Sequence, residues 1–141
     1  MKKRAISYYE QKALENKDMP SMWDPGYRER MIEAQQEIRQ AIDNSRWMDL
    51  RWCETFTKQF VKDIGECKLF VDVGAELGFY TYLALRNMPP DGKIIAFEPD
   101  PVRFALLKDF FGAYSNVNVL NFAVYDTEGV KTFVALRGFE G

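Results

Sequence analysis

Two glycines four residues apart, Gly74 and Gly78, follow a short apolar run and precede a segment with helical character. Glycine has no Cβ, so its backbone can adopt positive φ angles and lie directly against a ligand. The first N–H groups of the following helix are then free to face that ligand. The segment 71–81, VDVGAELGFYT, therefore predicts a binding site at the end of a strand.

The residue between the two glycines, Glu76, discriminates between nucleotide ligands. The dinucleotide fingerprint is G-x-G-x-x-G, because a pyrophosphate must lie on the backbone. In this register Glu76 stands in place of the second glycine and Phe79 in place of the third. A carboxylate would repel a pyrophosphate, but it would not repel a sulfonium or an α-ammonium group. The pattern favours a cationic ligand that carries an amino acid over NAD.

A second carboxylate, Glu98, ends the next apolar run, 24 residues after Gly74. An acidic side chain near this place in the chain typically binds ribose hydroxyls, through charge-assisted hydrogen bonds. Pro99 and Pro101 restrict the loop that follows. We expect Asp100 to cap the next helix rather than to contact a ligand.

Alternating strands and helices are predicted around these residues. Three short apolar runs predict strands, the first of them buried on both faces, and two segments that end near proline or glycine predict helices. A hairpin with Gly129 at a positive φ angle is predicted after the third strand. The order predicts an α/β fold with a parallel sheet. The predicted strands are 68–73, 93–97 and 117–120, the helices are 79–86 and 101–111, and the hairpin strands are 123–125 and 131–134.

The chain before residue 68 divides into a polar arm, residues 1–24, and a helical region, residues 25–67. Asp24 and Pro25 form a helix start signal. One apolar stripe follows through Tyr27, Met31, Ala34, Ile38 and Ala41, and Asn44-Ser45 interrupts it. A second stripe predicts another helix through Trp52, Phe56, Phe60 and Ile64, closed by Gly65. We expect both stripes to be packing surfaces.

Three motifs in this order, VDVGAELGFYT, IIAFEPDPVRFALL and NVNVLNFAVYDTEG, resemble the FkbM-type methyltransferases. That family is a class I, S-adenosylmethionine-dependent branch that acts mostly on hydroxyl groups of small molecules and sugars. The resemblance covers about residues 68–136. It implies a Rossmann-like fold in which the loop Gly74–Gly78 holds the methionine moiety, Glu98 binds the ribose and the turn Asn121-Phe122-Ala123 lies by the adenine. Glu76 departs from the asparagine or glycine expected there. The predicted cofactor contacts are Asp72, Gly74, Ala75, Glu76, Gly78, Phe79, Tyr80, Glu98, Pro99, Phe122 and Ala123.

The resemblance also implies that a larger fold is needed for activity. A class I methyltransferase has seven strands, and its first strand lies in the middle of the sheet. Here three parallel strands and a hairpin are expected, so residues 68–141 form an incomplete S-adenosylmethionine-binding domain and the first strand has an open edge. An exposed edge invites pairing, so we expect self-association or a partner subunit to cover it.

Two functions follow from this organisation. The first is a methyltransferase fragment, or one subunit of a split enzyme, that acts on a small-molecule acceptor and whose catalytic residues are unknown. The second is a non-catalytic interaction or scaffold protein built on half of the methyltransferase fold. The absent acceptor half, Glu76 and the aromatic stripes of the helical region favour the second.

Composition limits the other possibilities. The net charge is −2 and the isoelectric point about 5.3, so we expect no nucleic-acid partner, since nucleic-acid binding requires a basic face. The chain has no histidine, and its two cysteines, Cys53 and Cys67, are too far apart for a CxxC motif; no metal site is expected. No run approaches the roughly 20 apolar residues of a membrane span, and we expect a cytoplasmic protein.

Overall fold

A computed structural model describes residues 25–130. The predicted arm 1–24, the cap Asp24 and the second hairpin segment 131–134 lie outside the described residues. The predicted alternation is confirmed, with strand limits within one residue of those expected. The elements are α1 (Pro25–Asp43), a 3-10 turn (Trp47–Asp49), α2 (Thr57–Ile64), β1 (Leu69–Val73), α3 (Phe79–Asn87), β2 (Lys93–Phe97), α4 (Pro101–Phe111) and β3 (Val117–Leu120).

The three strands form one parallel sheet in the order β1-β2-β3. Phe70 pairs with Ile94, and Ile94 pairs with Val117. Each strand is joined to the next by a helix, as parallel pairing requires. Two such crossovers that advance in the same direction place their helices on the same face of the sheet. Both α3 and α4 therefore cover one face.

The core lies between this face and the helices. Ala96 and Val119 are buried on the covered face, together with Leu83 of α3 and Leu107 of α4. The first amphipathic stripe is confirmed as a packing surface, because α1 buries its apolar residues in the same cluster and contacts α3 and α4. The buried residues of that stripe are Met31, Ala34, Ile38 and Ala41.

The opposite face of the sheet is apolar and open among the described residues. Leu69, Val71 and Val73 are 56%, 46% and 59% exposed. The expectation that β1 is buried on both faces is therefore wrong for the described part of the chain, because no described element covers these side chains. In residues 25–130 β1 also has a neighbour on one side only, as predicted.

The second helix begins later than its apolar stripe predicts. Trp52 and Phe56 precede α2, which starts at Thr57. Leu50 adopts an extended backbone after the 3-10 turn, and the Thr57 hydroxyl accepts a hydrogen bond from the N–H of Glu54 at 2.9 Å. These local bonds compete with an earlier helical start.

The segment after β3 also differs from the prediction. Residues 121–130 form no strand and are exposed, so the first hairpin segment, Ala123-Val124-Tyr125, is irregular. An isolated segment of three residues has no ladder of its own, and its expected partner lies outside the described residues. Gly129 has the expected positive φ angle, +143°.

A matched pair of substitutions tests why the two loop glycines are needed. A Cβ on Gly78 would lie 2.8 Å from Phe111 and 2.9 Å from Leu107, whereas a Cβ on Gly74 would meet nothing within 4 Å. Both residues have positive φ angles, which cost an L-residue about 1–2 kcal/mol. Gly78→Ala adds an overpacking cost of about 1–3 kcal/mol. We expect Gly78→Ala to lower the free energy of unfolding in urea by clearly more than Gly74→Ala; equal losses would contradict this packing.

Candidate functional site at the carboxyl edge of the sheet

The three predicted ligand-binding segments lie at one edge of the sheet. They are the loop Gly74–Gly78 after β1, the loop Glu98–Asp100 after β2 and the turn Asn121–Ala123 after β3. Because the strands are parallel, their carboxyl ends meet at the same edge. Open parallel sheets bind their ligands outside this edge. The position of the motifs is therefore the usual position of a binding site in this class of fold.

Every second residue of the glycine loop has a positive φ angle: 76° at Gly74, 51° at Glu76 and 90° at Gly78. The N–H groups of Gly74 and Ala75 both donate to the carbonyl of Phe97, at 2.9 and 3.0 Å. Glu76 is exposed while Ala75 is buried. The loop thus presents Gly74 and Glu76 outward.

The expected reason for Gly78 requires a correction. Both glycines were predicted to make room for a ligand. Gly74 does border open space, but Gly78 is buried against the side chains of α4. The missing Cβ of Gly78 allows the start of α3 to approach α4. Glycine is therefore required at this position by helix packing.

The carboxylate of Glu98 joins two of the three loops. One of its oxygens accepts the N–H of Glu76 at 2.8 Å, and the other accepts the N–H of Asp100 at 2.8 Å. The side chain is only 2% exposed. Burial raises the pKa of the Glu98 carboxyl, while the two N–H bonds and the nearby charge of Arg103 oppose that shift. Glu98 therefore connects the loop after β1 to the loop after β2 from inside the protein, and we call this pair of hydrogen bonds the brace. The predicted contact of Glu98 with a ribose stays a prediction.

The third loop is attached through Asn121. Its side-chain amide donates to the carbonyl oxygens of Glu98 at 2.8 Å and Pro99 at 3.1 Å. The N–H of Glu98 in turn donates to the carbonyl of Leu120. This clamp was not predicted, although asparagine directly after a strand is a residue type that bonds backbone groups in turns. All three loops are thus connected through the residues around Glu98.

Asp72 is buried beneath the start of α3. Its carboxylate accepts a hydrogen bond from the Thr81 hydroxyl at 2.6 Å and a second bond from the Thr81 backbone. Burial raises the pKa of Asp72, against these two bonds. The geometry gives Asp72 a structural role between β1 and α3, and its predicted contact with a cofactor is untested.

Phe79 and Tyr80 direct their side chains away from the exposed part of the loop. Phe79 is buried in the core. The hydroxyl of Tyr80 bonds the hydroxyl of Thr57 at 2.8 Å, and its ring stacks on Phe56 with centroids 5.6 Å apart. The buried Phe79 can meet a ligand only through its backbone at the start of α3, whose N-cap Gly78 supplies no side-chain cap. Tyr80 is partly exposed.

Five predicted residues remain accessible at the edge. Phe122 is 63% exposed, Ala123 is exposed and Pro99 is partly exposed. Gly74 and Glu76 complete this accessible set. The structure thus separates the predicted site into residues that hold the edge together and residues that are open to a ligand. Those that hold the edge together are Asp72, Ala75, Gly78, Phe79, Tyr80 and Glu98.

A cleft of about 170 Å³ opens beside the glycine loop. It is lined by residues from the turn after α1, from the loop and from α4, which are Arg51, Trp52, Glu76, Leu77 and Arg103. Sequence reasoning did not include the two arginines, because their approach to the loop depends on how the helical region packs against the sheet. Within residues 25–130, no group of three or more potential metal ligands is found. None of the helices in the same range combines the length and apolarity that a membrane crossing needs.

The brace can be tested by Glu98→Gln. The new NH₂ group would face a backbone N–H in place of an acceptor oxygen, so one buried donor loses its partner. We expect the free energy of unfolding at pH 7 to fall by about 1–3 kcal/mol, measured by urea denaturation. The exposed Glu66 offers a matched control, and Glu66→Gln should stay within about 0.5 kcal/mol of the wild type. Equal, small effects of both substitutions would rule out the brace.

Asp72 predicts a pH dependence of stability. Its pKa is raised on folding, so the folded state holds the proton more tightly than the unfolded state, and stability falls as pH rises above the ordinary carboxyl pKa of 3.8. Asp72→Asn keeps an acceptor for Thr81 and removes the charge. We therefore expect the stability of the variant, relative to the wild type, to increase between pH 4 and pH 7 in urea unfolding.

The exposed Asp91 is a control of opposite sign. The hydrogen bond from Lys68, with nitrogen and oxygen 2.6 Å apart, lowers the pKa of Asp91. This carboxylate adds stability above its unfolded pKa, and that stability is lost as pH falls. Asp91→Asn should therefore be less stable than the wild type at pH 7, and this difference should shrink as pH falls below about 4. The same sign for both variants would contradict the assignment.

No protein-family model, curated protein or solved structure matches this chain. Function is therefore inferred from the geometry of the carboxyl edge and from the sequence motifs that form it.

Proposed function

We propose that this chain is the cofactor-binding part of an S-adenosylmethionine-dependent methyltransferase with a Rossmann-like fold, which transfers a methyl group to a hydroxyl of a small molecule or a sugar. One observation carries the proposal. The glycine loop, the loop after β2 and the turn after β3, which together carry the resemblance to FkbM-type enzymes, converge at the carboxyl edge of a parallel sheet.

The charge of the loop supports this ligand over a dinucleotide. Glu76 is exposed at the point where a pyrophosphate would need a bare backbone. Its carboxylate attracts a sulfonium or an ammonium group and repels phosphate. At the other end of the edge, the exposed ring of Phe122 offers a surface on which a base can stack.

Glu98 serves this site through the loops that it holds. Each carboxylate oxygen can accept a second hydrogen bond, but a side chain with 2% exposure leaves little surface for ribose hydroxyls. Loss of affinity in Glu98→Ala would not distinguish a direct contact from a disordered loop. Glu76, whose carboxylate is exposed and outside the brace, is the sharper probe.

The proposed reaction is an in-line displacement at the methyl group of a sulfonium, and such catalysis depends largely on positioning the acceptor oxygen. We assign cofactor binding to the residues of the described edge, and we assign no catalytic base among them. We propose that the acceptor is held by a further segment or a partner subunit.

A second candidate is an interaction protein built on the same half-fold. Two observations favour it. Glu98 is engaged by backbone N–H groups, and no element within residues 25–130 covers the apolar face formed by Leu69, Val71 and Val73. Parallel sheets are normally covered on both faces. Size-exclusion chromatography with light scattering tests this candidate. A stable oligomer whose size does not change when the cofactor is added would favour it.

Isothermal titration calorimetry with S-adenosylmethionine and with S-adenosylhomocysteine tests the first proposal. We expect saturable binding of both at submillimolar to millimolar concentration. The absence of heat and of any thermal shift at millimolar ligand would contradict the proposal.

Glu76→Gln then identifies the group that the loop recognises. We expect a roughly two- to fivefold weaker affinity for S-adenosylmethionine, because an exposed ion pair contributes at most about 1 kcal/mol. An equal loss for S-adenosylhomocysteine assigns Glu76 to the ammonium group, and a smaller loss assigns it to the sulfonium. Glu66→Gln is the control. If both affinities are unchanged in Glu76→Gln, the loop does not select its ligand by charge.

A further inference from the structure

The outer edge of β1 carries backbone groups that no described strand uses. Lys68 and Gly74, which flank β1, each form a backbone hydrogen bond of 2.9 Å with β2. In a parallel ladder every second residue bonds the same neighbour, so the residues of β1 with even numbers bond β2. The N–H and C=O groups of Leu69, Val71 and Val73 therefore point to the other side of β1, where residues 25–130 supply no strand.

The side chains at this edge are apolar and open as well. Alternate residues of a strand share a face, and Leu69, Val71 and Val73 lie on the face of the sheet that no described element covers. Natural proteins often protect an edge strand with a charge or a proline, and these three residues supply neither. The charged residue of β1, Asp72, faces the covered side and bonds Thr81. This edge is therefore unprotected within the described part of the chain.

The outer edge of β3 is better protected. The N–H of Glu98 donates to the carbonyl of Leu120, so Val117 and Val119 direct their backbone groups away from β2. The side chain of Val119 is only 5% exposed, and the N–H of Val117 already donates to the carbonyl of Tyr114 at 3.2 Å. Of the two outer edges of the sheet in residues 25–130, the edge of β1 is therefore the one open to pairing.

We propose that β1 pairs in the antiparallel direction with β1 of a second copy of this chain, about a two-fold axis at Val71. With Val71 opposite its counterpart, Leu69 lies opposite Val73 of the second copy, and Val73 lies opposite its Leu69. All three are hydrogen-bonded pairs, which gives about six backbone hydrogen bonds, and their aliphatic side chains meet across the strands. A shift by two residues would place Val73 opposite Cys67, which precedes the strand.

Three arguments favour a second copy over another partner. The edge has no charge that would select a charged peptide. A flexible peptide would lose conformational entropy on binding, whereas β1 is already ordered by β2. A two-fold axis lets the same surface serve both chains, as in most homodimers. The inference rests on the strand register: it names a partner for the interaction candidate, while calorimetry tests ligand binding separately.

A pair of charge substitutions tests this register, because residue 71 lies opposite itself. Val71→Lys brings two ammonium groups together across the strands, and Val71→Glu brings two carboxylates together. By size-exclusion chromatography with light scattering, we expect the wild type to form a dimer that dissociates on dilution. Each variant alone should raise the dissociation constant of that dimer at least about tenfold. An equimolar mixture of the two variants should restore the dimer, since opposite charges then meet.

Asn118→Lys is the matched control. Asn118 is exposed and lies on the same face of the sheet, because it pairs with Ile95 and Ile95 pairs with Val71. The control adds the same charge away from the axis and should leave the dissociation constant within about twofold of the wild type. A wild type that stays monomeric overturns the proposal, as does a dimer that Val71→Lys leaves intact or a mixture of folded variants that stays monomeric.

Amide hydrogen exchange of the wild type gives a second measurement that needs no substitution. The amides of Leu69, Val71 and Val73 should become more protected as the protein concentration rises, because only the dimer supplies their partners. Protection that does not depend on concentration would show that residues outside 25–130 cover this edge. Either that result or the absence of protection at every concentration overturns the proposal, and both leave the test of cofactor binding unaffected.

Discussion

The carboxylate of Glu98, buried at the end of β2, accepts N–H bonds from two loops that no secondary structure connects. Burying this group is costly unless it is hydrogen-bonded, and the bonds from Glu76 and Asp100 supply that compensation. The N–H of Glu76 can reach the carboxylate because the loop turns through a positive φ angle at this residue. Asn121 adds the third loop by bonding the carbonyls of Glu98 and Pro99. The carboxyl edge is thus one connected unit rather than three independent loops.

At this edge the buried residues hold the secondary-structure elements together, and the exposed residues are available to a ligand. Asp72 holds α3 to β1 through Thr81, and Gly78 allows α3 to pack on α4. The surface that remains for a ligand consists of the backbone at Gly74, the side chain of Glu76, the partly exposed Pro99 and the exposed turn after β3. A rigid interior that presents a small number of charged groups suits the recognition of a cofactor, since pre-organised groups lose less entropy on binding.

The alternation of apolar runs and capped helices was sufficient to predict the parallel sheet and the helix cap Asp100, because these features depend on local sequence. The Asp100 carboxylate accepts the N–H of Val102 at 2.8 Å. The orientation of the Glu98 side chain could not be predicted, since it depends on a hydrogen bond from the backbone N–H of Glu76, 22 residues earlier. The role of Gly78 required knowledge of α4. The late start of α2 followed from bonds around Thr57 that compete with the helix. The apolar run of β1 predicted burial on both faces, but what covers a sheet is decided by distant segments.

The central claim is that a buried carboxylate fixes the glycine loop. Amide hydrogen exchange followed by NMR tests it most directly, because Glu76 is an exposed residue outside any helix or strand, and its N–H has no other reason for protection. If the claim is right, the amides of Glu76 and Asp100 exchange at least about 100-fold more slowly than those of the exposed residues 122–125 after correction for intrinsic rates. Exchange of the Glu76 amide at the rate of that exposed segment would contradict it.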